Sequence, residues 1–475
     1  MRARRLRIED LKLGVVEVAC THGELGMIRG VAQDVSMHGL SVMVGTNDGQ
    51  PRALLVGDRL LDVHITCEAG ALYEGKALVR RITPRDDGLV IGLELDQGGL
   101  DLGRLYRSGA RREFARRWEA VIERSRFVGI GPEFKAWVAD LRSMLASAHA
   151  FLADEERALA GEDRRARSDA ETEYLHVLGL DMIELIEVAK RELAQLVAGF
   201  NEAEHVEHRA YCRLHLGQFL TQSPFLRRAL EKPLGYAGDY EMMNMLYRDP
   251  AEGETLFGRA LNLCFTQEQA AQANKNRITF IGKLIRDAID AHPDRRVRIA
   301  SLGCGPAREI ETLLEQSPEL GPRLEVALID QEDRAIAHCE RVLAPRAAAT
   351  GARLVFIRER LRAMLNQDSL AKALGERELI YSAGLFDYLD ARWFSRIAGM
   401  LYAALTPQGL LAIGNVAAHN PSRWIMEYFS EWFLIHRSRE QLAELVAKVA
   451  PSPSRVWVDA EPTGVNLFLM MRRGP

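Results

Sequence analysis

The last two apolar runs of the sequence, Val456 to Asp459 and Val465 to Met471, are separated only by the turn Glu461-Pro462-Thr463-Gly464. Parallel neighbours need a crossover of about a dozen residues or more, so these final strands must pair antiparallel. Upstream the pattern differs. From about residue 277, β-rich runs alternate with helical ones: Val297 to Leu302, Arg308 to Gln316, Leu324 to Asp330, Glu332 to Leu343, Arg353 to Ile357, a helix reaching Leu374, Glu378 to Ser382, then Gly409 to Asn415. Such alternation builds a parallel sheet covered by helices. Residues 276–475 are therefore expected to form a doubly wound α/β domain with a terminal antiparallel hairpin, a feature foreign to a standard dinucleotide-binding sheet.

The remainder of the 475-residue chain is too long for that one core, and domains of about 100 to 200 residues imply two to four units. Residues 1–100 alternate short β-rich runs (Val15 to Ala19, Gly39 to Val44, Leu60 to Thr66, Ala77 to Ile82, Leu89 to Leu95) with turn clusters, the spacing of a small all-β barrel. Residues 103–275 carry apolar side chains at helical period, as in Phe134, Trp137, Leu141, Leu145 and His149, and read as a helical linker and cap. The polar stretch Ala153 to Thr172 reads as a solvated helix face or a bend.

A formal net charge of −4 gives no global field that would attract a phosphate backbone, so a nucleic acid polymer is not expected as partner. The six cysteines, Cys20, Cys67, Cys212, Cys264, Cys304 and Cys339, have neither paired nor ligand spacing, so no disulfide framework and no metal site is expected. Charged residues from Glu9 to Glu17 interrupt any signal core, and no run is apolar enough to span a membrane. A cytoplasmic chain is expected, and a homo-oligomer is compatible with it.

The chemistry concentrates after the first strand of the α/β region. Gly303-Cys304-Gly305-Pro306 lies between strand and helix, where missing Cβ atoms admit a ligand to backbone N–H groups. Asp330 closes the next strand, placed either to accept ribose hydroxyls or to cap the following helix. Tyr381, Ser382 and Gly384 begin the run Tyr381-Ser382-Ala383-Gly384-Leu385-Phe386-Asp387-Tyr388, which suits a cleft for a flat base and a cation, or else is a plain strand-to-helix connection. His419 is a candidate base for a hydroxyl or amine, against the plainer reading of a polar loop residue. Met242, Met243, Met245, Leu246 and Tyr247 read as helix core, with an acyl-chain tunnel as the alternative.

From Val297 to Met471 the sequence resembles class I methyltransferases dependent on S-adenosylmethionine (SAM). Asp330 falls at the ribose position and the run from Tyr381 at the fourth motif, while Ser301 and Ala307 replace an acidic residue and a third glycine. The turn-rich segment Glu231 to Tyr240, with Asn420 to Arg423 and Glu431 to Arg437, is similar to bacterial proteins assigned to biosynthesis of 3-hydroxypalmitic acid methyl ester. That resemblance implies methyl transfer to the carboxylate or hydroxyl of a small lipid-like acceptor. Tyr236, Asp239 and Tyr240 would then cap the cofactor and orient the acceptor, whereas the residues alone read equally as a rigid turn.

Near the amino terminus, Asp34-Val35-Ser36-Met37-His38-Gly39 follows an arginine-rich start and resembles the PilZ domain. The resemblance implies cyclic di-GMP as a regulator bound by Arg2, Arg4, Arg5, Arg7, Asp34, Ser36 and Gly39, although no two of these arginines have the family's Arg-x-x-x-Arg spacing. Two other functions remain open from sequence: a cyclic di-GMP effector whose methyltransferase-like domain has lost its chemistry, and an NAD-dependent oxidoreductase.

Overall fold

A computed structural model describes residues 6–11, 15–23, 25–45, 54–67, 70–85, 88–96, 99–102, 105, 114, 127–359 and 374–475. The chain forms two compact units, Met1–Gly129 and Ile130–Pro475, so the boundary expected near residue 275 falls inside the second unit.

The first unit is built from β1 (Leu6–Arg7), β2 (Glu17–His22), β3 (Gly26–Ser36), β4 (Gly39–Gly45), β5 (Arg59–Cys67), β6 (Gly70–Arg85) and β7 (Gly88–Leu95). The strand order β1-β3-β2-β5-β6-β7-β4 closes on itself through a β3–β4 pairing, giving a six-stranded antiparallel barrel with β1 added at β3. Strand alternation fills it: Val63 and Ile65 of β5 are buried, while Asp62 and His64 face out. The long β3 is not foreseen by the sequence reading, because Gly26, Gly30 and Asp34 interrupt its apolar run.

The second unit begins with helices. α1 (Pro132–Ala158) starts on a proline at its first position and buries Phe134, Trp137, Val138, Leu141, Leu145 and Leu152 along one face. The polar stretch Ala153 to Thr172, expected as a solvated helix face or a bend, holds the end of α1, the bend and the start of α2 (Arg164–Val197), which Asp163 caps by accepting the N–H groups of Arg165 and Ala166. α3 (Glu202–Leu220) follows with an Asn201/Glu204 capping box. Next come α4 (Pro224–Glu231), α5 (Tyr240–Met245) and α6 (Leu256–Thr266). Between α4 and α5, Lys232 and Gly235 take left-handed backbone and reverse the chain.

α7 (Gln269–Asp290) leads into the sheet, to which it contributes Ile281, Ile285 and Ile289, all fully buried. Each such side chain contributes about 1.5 to 3 kcal/mol by leaving water. The sheet has the order β10-β9-β8-β11-β12-β14-β13. Its members are β8 (Val297–Leu302), β9 (Leu324–Asp330), β10 (Arg353–Arg358), β11 (Arg377–Ser382), β12 (Leu405–Val416), β13 (Arg455–Ala460) and β14 (Asn466–Arg472). β14 alone runs against the direction of the other six strands, as the short turn requires. Glu461 organises that turn, its carboxylate accepting the N–H groups of Thr463 at 2.9 Å and Asn466 at 3.1 Å.

Both faces of the sheet are covered. Ile299, Val326, Leu328, Leu379 and Tyr381 point to a core shared with α7, α8 (Arg308–Gln316) and α9 (Asp333–Thr350). Their neighbours Ala300, Leu302, Ala327, Ile329 and Ile380 point to the opposite core, shared with α10 (Ala391–Ala403) and α12 (Arg439–Leu445). A further short helix, α11 (Arg423–Phe429), follows β12. No helix among the described residues is long and apolar enough to cross a membrane.

Candidate active site

Parallel strands bring their carboxyl ends to one edge, and there β8, β9 and β11 open into a cavity of about 590 Å³. That size lies within the range of about 300 to 1,000 Å³ usual for small-molecule sites. Its floor is the loop after β8. Gly303, Gly305 and Ala307 have φ of 64°, 54° and 50°, so every second residue is left-handed. This conformation is natural for glycine but costs an alanine about 1 to 2 kcal/mol, and the Cys304 and Ala307 N–H groups are taken up within the fold, donating to the Ile329 and Cys304 carbonyls at 3.0 Å each. A Cβ on Gly303 would lie 3.1 Å from Leu385 Cβ, whereas one on Gly305 would meet nothing within 4 Å.

The loop is fastened by Asp330. The Gly305 N–H donates to Asp330 Oδ2 at 2.9 Å and the Glu332 N–H to Oδ1 at 3.0 Å. Glu332, not Asp330, caps α9, so the capping alternative for Asp330 does not hold. Burial pushes the Asp330 carboxyl above the usual carboxylate range, against the pull of these amides. Each carboxylate oxygen can accept a second hydrogen bond, and Asp330 lines the cavity beside Gln331 and Glu359.

Arg277 and Glu309 both line the cavity, and the Arg277 charge acts on the Glu309 carboxyl. Arg277 projects from α7, with Nη2 at 3.2 Å from Met243 Sδ and Nη1 at 3.5 Å from the Ala383 carbonyl, and among the described residues no carboxylate pairs with it. Glu309, in the first turn of α8, accepts the Tyr381 hydroxyl at 2.7 Å. Burial pushes its carboxyl up, partly opposed by the Tyr381 hydrogen bond and the Arg277 charge. Glu309 thus brings a carboxylate to the loop that Ser301 does not provide.

Of the residues expected at the site, Gly303, Cys304, Gly305, Pro306, Asp330, Gly384 and Tyr236 line the cavity. The Cys304 thiol is buried beside Cys339, and both effects keep it protonated; the two thiols donate to the Gly305 carbonyl. Four others are placed elsewhere. Tyr381 is fully buried under α8, because strand alternation points it into the core, and it reaches the site only through Glu309. Ser382, also fully buried, donates to the Leu302 carbonyl at 2.8 Å and braces the start of the loop. Asp239 is buried against Arg228 and caps α5, so it supports the turn and does not face the cavity. His419 is exposed and outside the cavity.

Met243 and Tyr247 do line the cavity, while Met242, Met245 and Leu246 are buried without lining it. Arg277 and Glu309 line the cavity without having been singled out from sequence, and Trp432 lines it from the Glu431 to Arg437 segment. Only their juxtaposition distinguishes them, since each sits in an ordinary amphipathic or aromatic stretch.

In the first unit, β1 pairs with β3 so that Arg7 stands opposite Asp34. The Ser36 hydroxyl donates to the Gly39 carbonyl at 3.0 Å and closes the β3–β4 turn, while a Cβ on Gly39 would lie 2.2 Å from the Leu93 carbonyl oxygen. Ser36 and Gly39 therefore have structural duties in the barrel. Arg2, Arg4 and Arg5 lie outside the described residues.

No family model and no curated protein matches the chain. Among solved structures, it is similar to a possible exported protein from Bordetella parapertussis (15% identity, 62% of this chain and 97% of that one, TM-score 0.40). It is also similar to the DszA carbon methyltransferase (14%, 60% and 69%, TM-score 0.38). A third likeness is to the magnesium protoporphyrin IX methyltransferase of Synechocystis with bound S-adenosylhomocysteine (10%, 44% and 88%, TM-score 0.34).

Proposed function

We propose that the second unit is a SAM-dependent methyltransferase acting on a small molecule. The observation that carries this reading is the meeting, in one cavity, of the coiled Gly303–Ala307 loop with Asp330, on a sheet whose only reversed strand is β14. The cavity suits the cofactor on three counts. The glycine coil leaves backbone room for it, Asp330 retains acceptor capacity for ribose hydroxyls, and Arg277 with Glu309 offers one charge of each sign to an amino-acid terminus. Bound there, SAM would supply an electrophilic methyl group on a sulfonium. The chain would hold the acceptor in line and exclude water, with positioning at about 3 to 3.5 Å supplying much of the rate.

The reversed β14 speaks against an NAD-dependent oxidoreductase. Glu309 speaks against a domain whose chemistry is lost for want of a carboxylate. Isothermal titration with SAM, followed by competition with NAD, tests the reading: saturable SAM binding that NAD does not displace is expected. The result that sinks it is NAD binding without SAM binding.

For the first unit we propose cyclic di-GMP binding, on the observation that β1 sets Arg7 opposite Asp34, the residue that opens the Asp-x-Ser-x-x-Gly turn. Titration of the full chain with cyclic di-GMP tests this, and absence of heat in a protein that still binds SAM would remove it. A barrel that serves only as a docking module is then what remains.

A further inference from the structure

One buried carboxylate in the cavity has no part in the cofactor reading. Asp387 follows β11 and is 6% exposed, its Oδ1 accepting the Val416 N–H at 2.6 Å. The charged groups around it are Arg277 from α7 and Arg437, with the Tyr388 hydroxyl beside it. Arg437 is committed elsewhere, donating to the Phe386 carbonyl at 3.1 Å and to Asn415 Oδ1 at 2.6 Å. Among the described residues neither arginine forms an ion pair with Asp387, and Oδ2 is left for a ligand.

The walls beside it are aromatic. Tyr388 leaves 39% of its surface open, and the Tyr236 ring stands edge-on to it at 6.4 Å. The Trp432 indole N–H donates to the Tyr388 oxygen at 2.9 Å and fixes both rings. Gly238 makes this packing feasible, because a Cβ there would lie 2.6 Å from Tyr388 Oη and 2.7 Å from Trp432 Cζ2. Asp387 lines the same cavity as the Tyr236, Tyr388 and Trp432 rings, so a carboxylate and aromatic walls border one space.

A carboxylate acceptor would have to sit beside the Asp387 anion, and like charges at that range repel. A hydroxyl or amine must lose a proton as its bond to carbon forms, and a buried carboxylate can take it. Aromatic faces favour a planar partner over an acyl chain. We infer that the acceptor is a planar molecule presenting a hydroxyl or an amine N–H, and that Asp387 accepts its proton. This rests on the methyltransferase reading. The acceptor oxygen or nitrogen forms a bond to the methyl carbon, the carbon–sulfur bond breaks with its electron pair going to sulfur, and the acceptor proton passes to Asp387 Oδ2. Burial pushes the Asp387 carboxyl up to about 6, so it is ionised at neutral pH yet basic enough for the task.

The test uses the full chain, tritiated SAM and three probe acceptors: 7-hydroxycoumarin, tryptamine and palmitate. SAM binding is measured first by titration. Transfer to 7-hydroxycoumarin or tryptamine and none to palmitate is expected. Asp387→Asn, which retains an acceptor for the Val416 N–H, should bind SAM within about twofold of wild type. Its kcat should fall by about a hundredfold or more, and the rise of kcat through pH 6 should disappear. With SAM binding intact, methylation of palmitate, rejection of both ring probes, or wild-type turnover by Asp387→Asn would overturn this inference alone. Failure to bind SAM would overturn the methyltransferase reading and this inference together.

Discussion

The Gly305 N–H donates to Asp330 Oδ2 at 2.9 Å, so the residue that closes β9 also holds the loop that opens α8. Two elements far apart in sequence are thereby locked at the edge where the cavity lies. Replacing Asp330 by alanine removes the acceptor from two backbone amides, and each buried unpaired donor costs about 1 to 3 kcal/mol. Asp330→Ala should therefore weaken SAM binding at least tenfold and lower the thermal unfolding midpoint. Asp330→Asn, which keeps one acceptor oxygen, should fall between it and wild type. Titration calorimetry and thermal unfolding of the three proteins check the order.

The left-handed coil of the loop gives a second expectation. Gly303→Ala places a Cβ at φ 64° and at 3.1 Å from Leu385 Cβ, so strain and crowding act together. A loss of about 1 to 2 kcal/mol in stability is expected, with SAM affinity falling about fivefold or more as Leu385 shifts. Ala307→Gly is the counterpart. Relief of left-handed strain is offset by loss of one buried methyl, worth about 0.8 kcal/mol, so its stability should change by less than about 1 kcal/mol. Urea denaturation separates the two variants, and equal losses would show that left-handed strain does not govern the loop.

The sheet is legible in the sequence because its strands are short, apolar and punctuated. Val297–Leu302, Arg308–Gln316 and Leu324–Asp330 have the bounds their patterns imply. The long β3 is hidden because Gly30, in its middle, serves close backbone approach: a Cβ there would lie 2.4 Å from the Met43 carbonyl oxygen. In the site, the glycine loop and Asp330 announce themselves by position in the strand–loop–helix pattern. Tyr381 looks like cavity lining from composition, but the two-residue period of β11 sends it under α8. Arg277 carries no local signal, since it is one cation on an amphipathic helix whose apolar face is marked by Ile281, Ile285 and Ile289. Its place in the cavity follows from how α7 packs on the sheet, which is a tertiary fact.

Asp239 was a candidate for chemistry and is bound instead to Arg228, with Oδ1 at 3.0 Å from Nε and Oδ2 at 2.8 Å from Nη2. Oδ1 also accepts the Met242 N–H at 2.9 Å at the start of α5. Asp239→Ala removes a helix cap and leaves a half-buried guanidinium without its partner. Together these are worth about 3 kcal/mol. The unfolding midpoint should fall accordingly. At a temperature where the variant stays folded, kcat should remain within about threefold of wild type, because Asp239 touches no reacting group. A kcat loss of two orders of magnitude in the folded protein would return Asp239 to the chemistry.

Asp387 sets a dependence of stability on pH whose sign can be worked out. Its carboxyl is raised from 3.8 to about 6 in the folded chain, with desolvation as the first cause. Between those values the folded state binds more protons at this group than the unfolded state, so its contribution to stability rises as pH falls. Above about pH 6 the ionised group imposes its full cost, and the interval corresponds to about 3 kcal/mol at 1.36 kcal/mol per pH unit. Asp387→Asn removes that cost while retaining an acceptor for the Val416 N–H. The variant should therefore be more stable than wild type at pH 7.5, by up to about 3 kcal/mol, with the advantage shrinking towards pH 4. Urea denaturation at pH 7.5, 6 and 4.5 measures it. An advantage that grows on acidification would mean that Asp387 is stabilised as an anion, and that its carboxylate is held by the fold and not reserved for an acceptor.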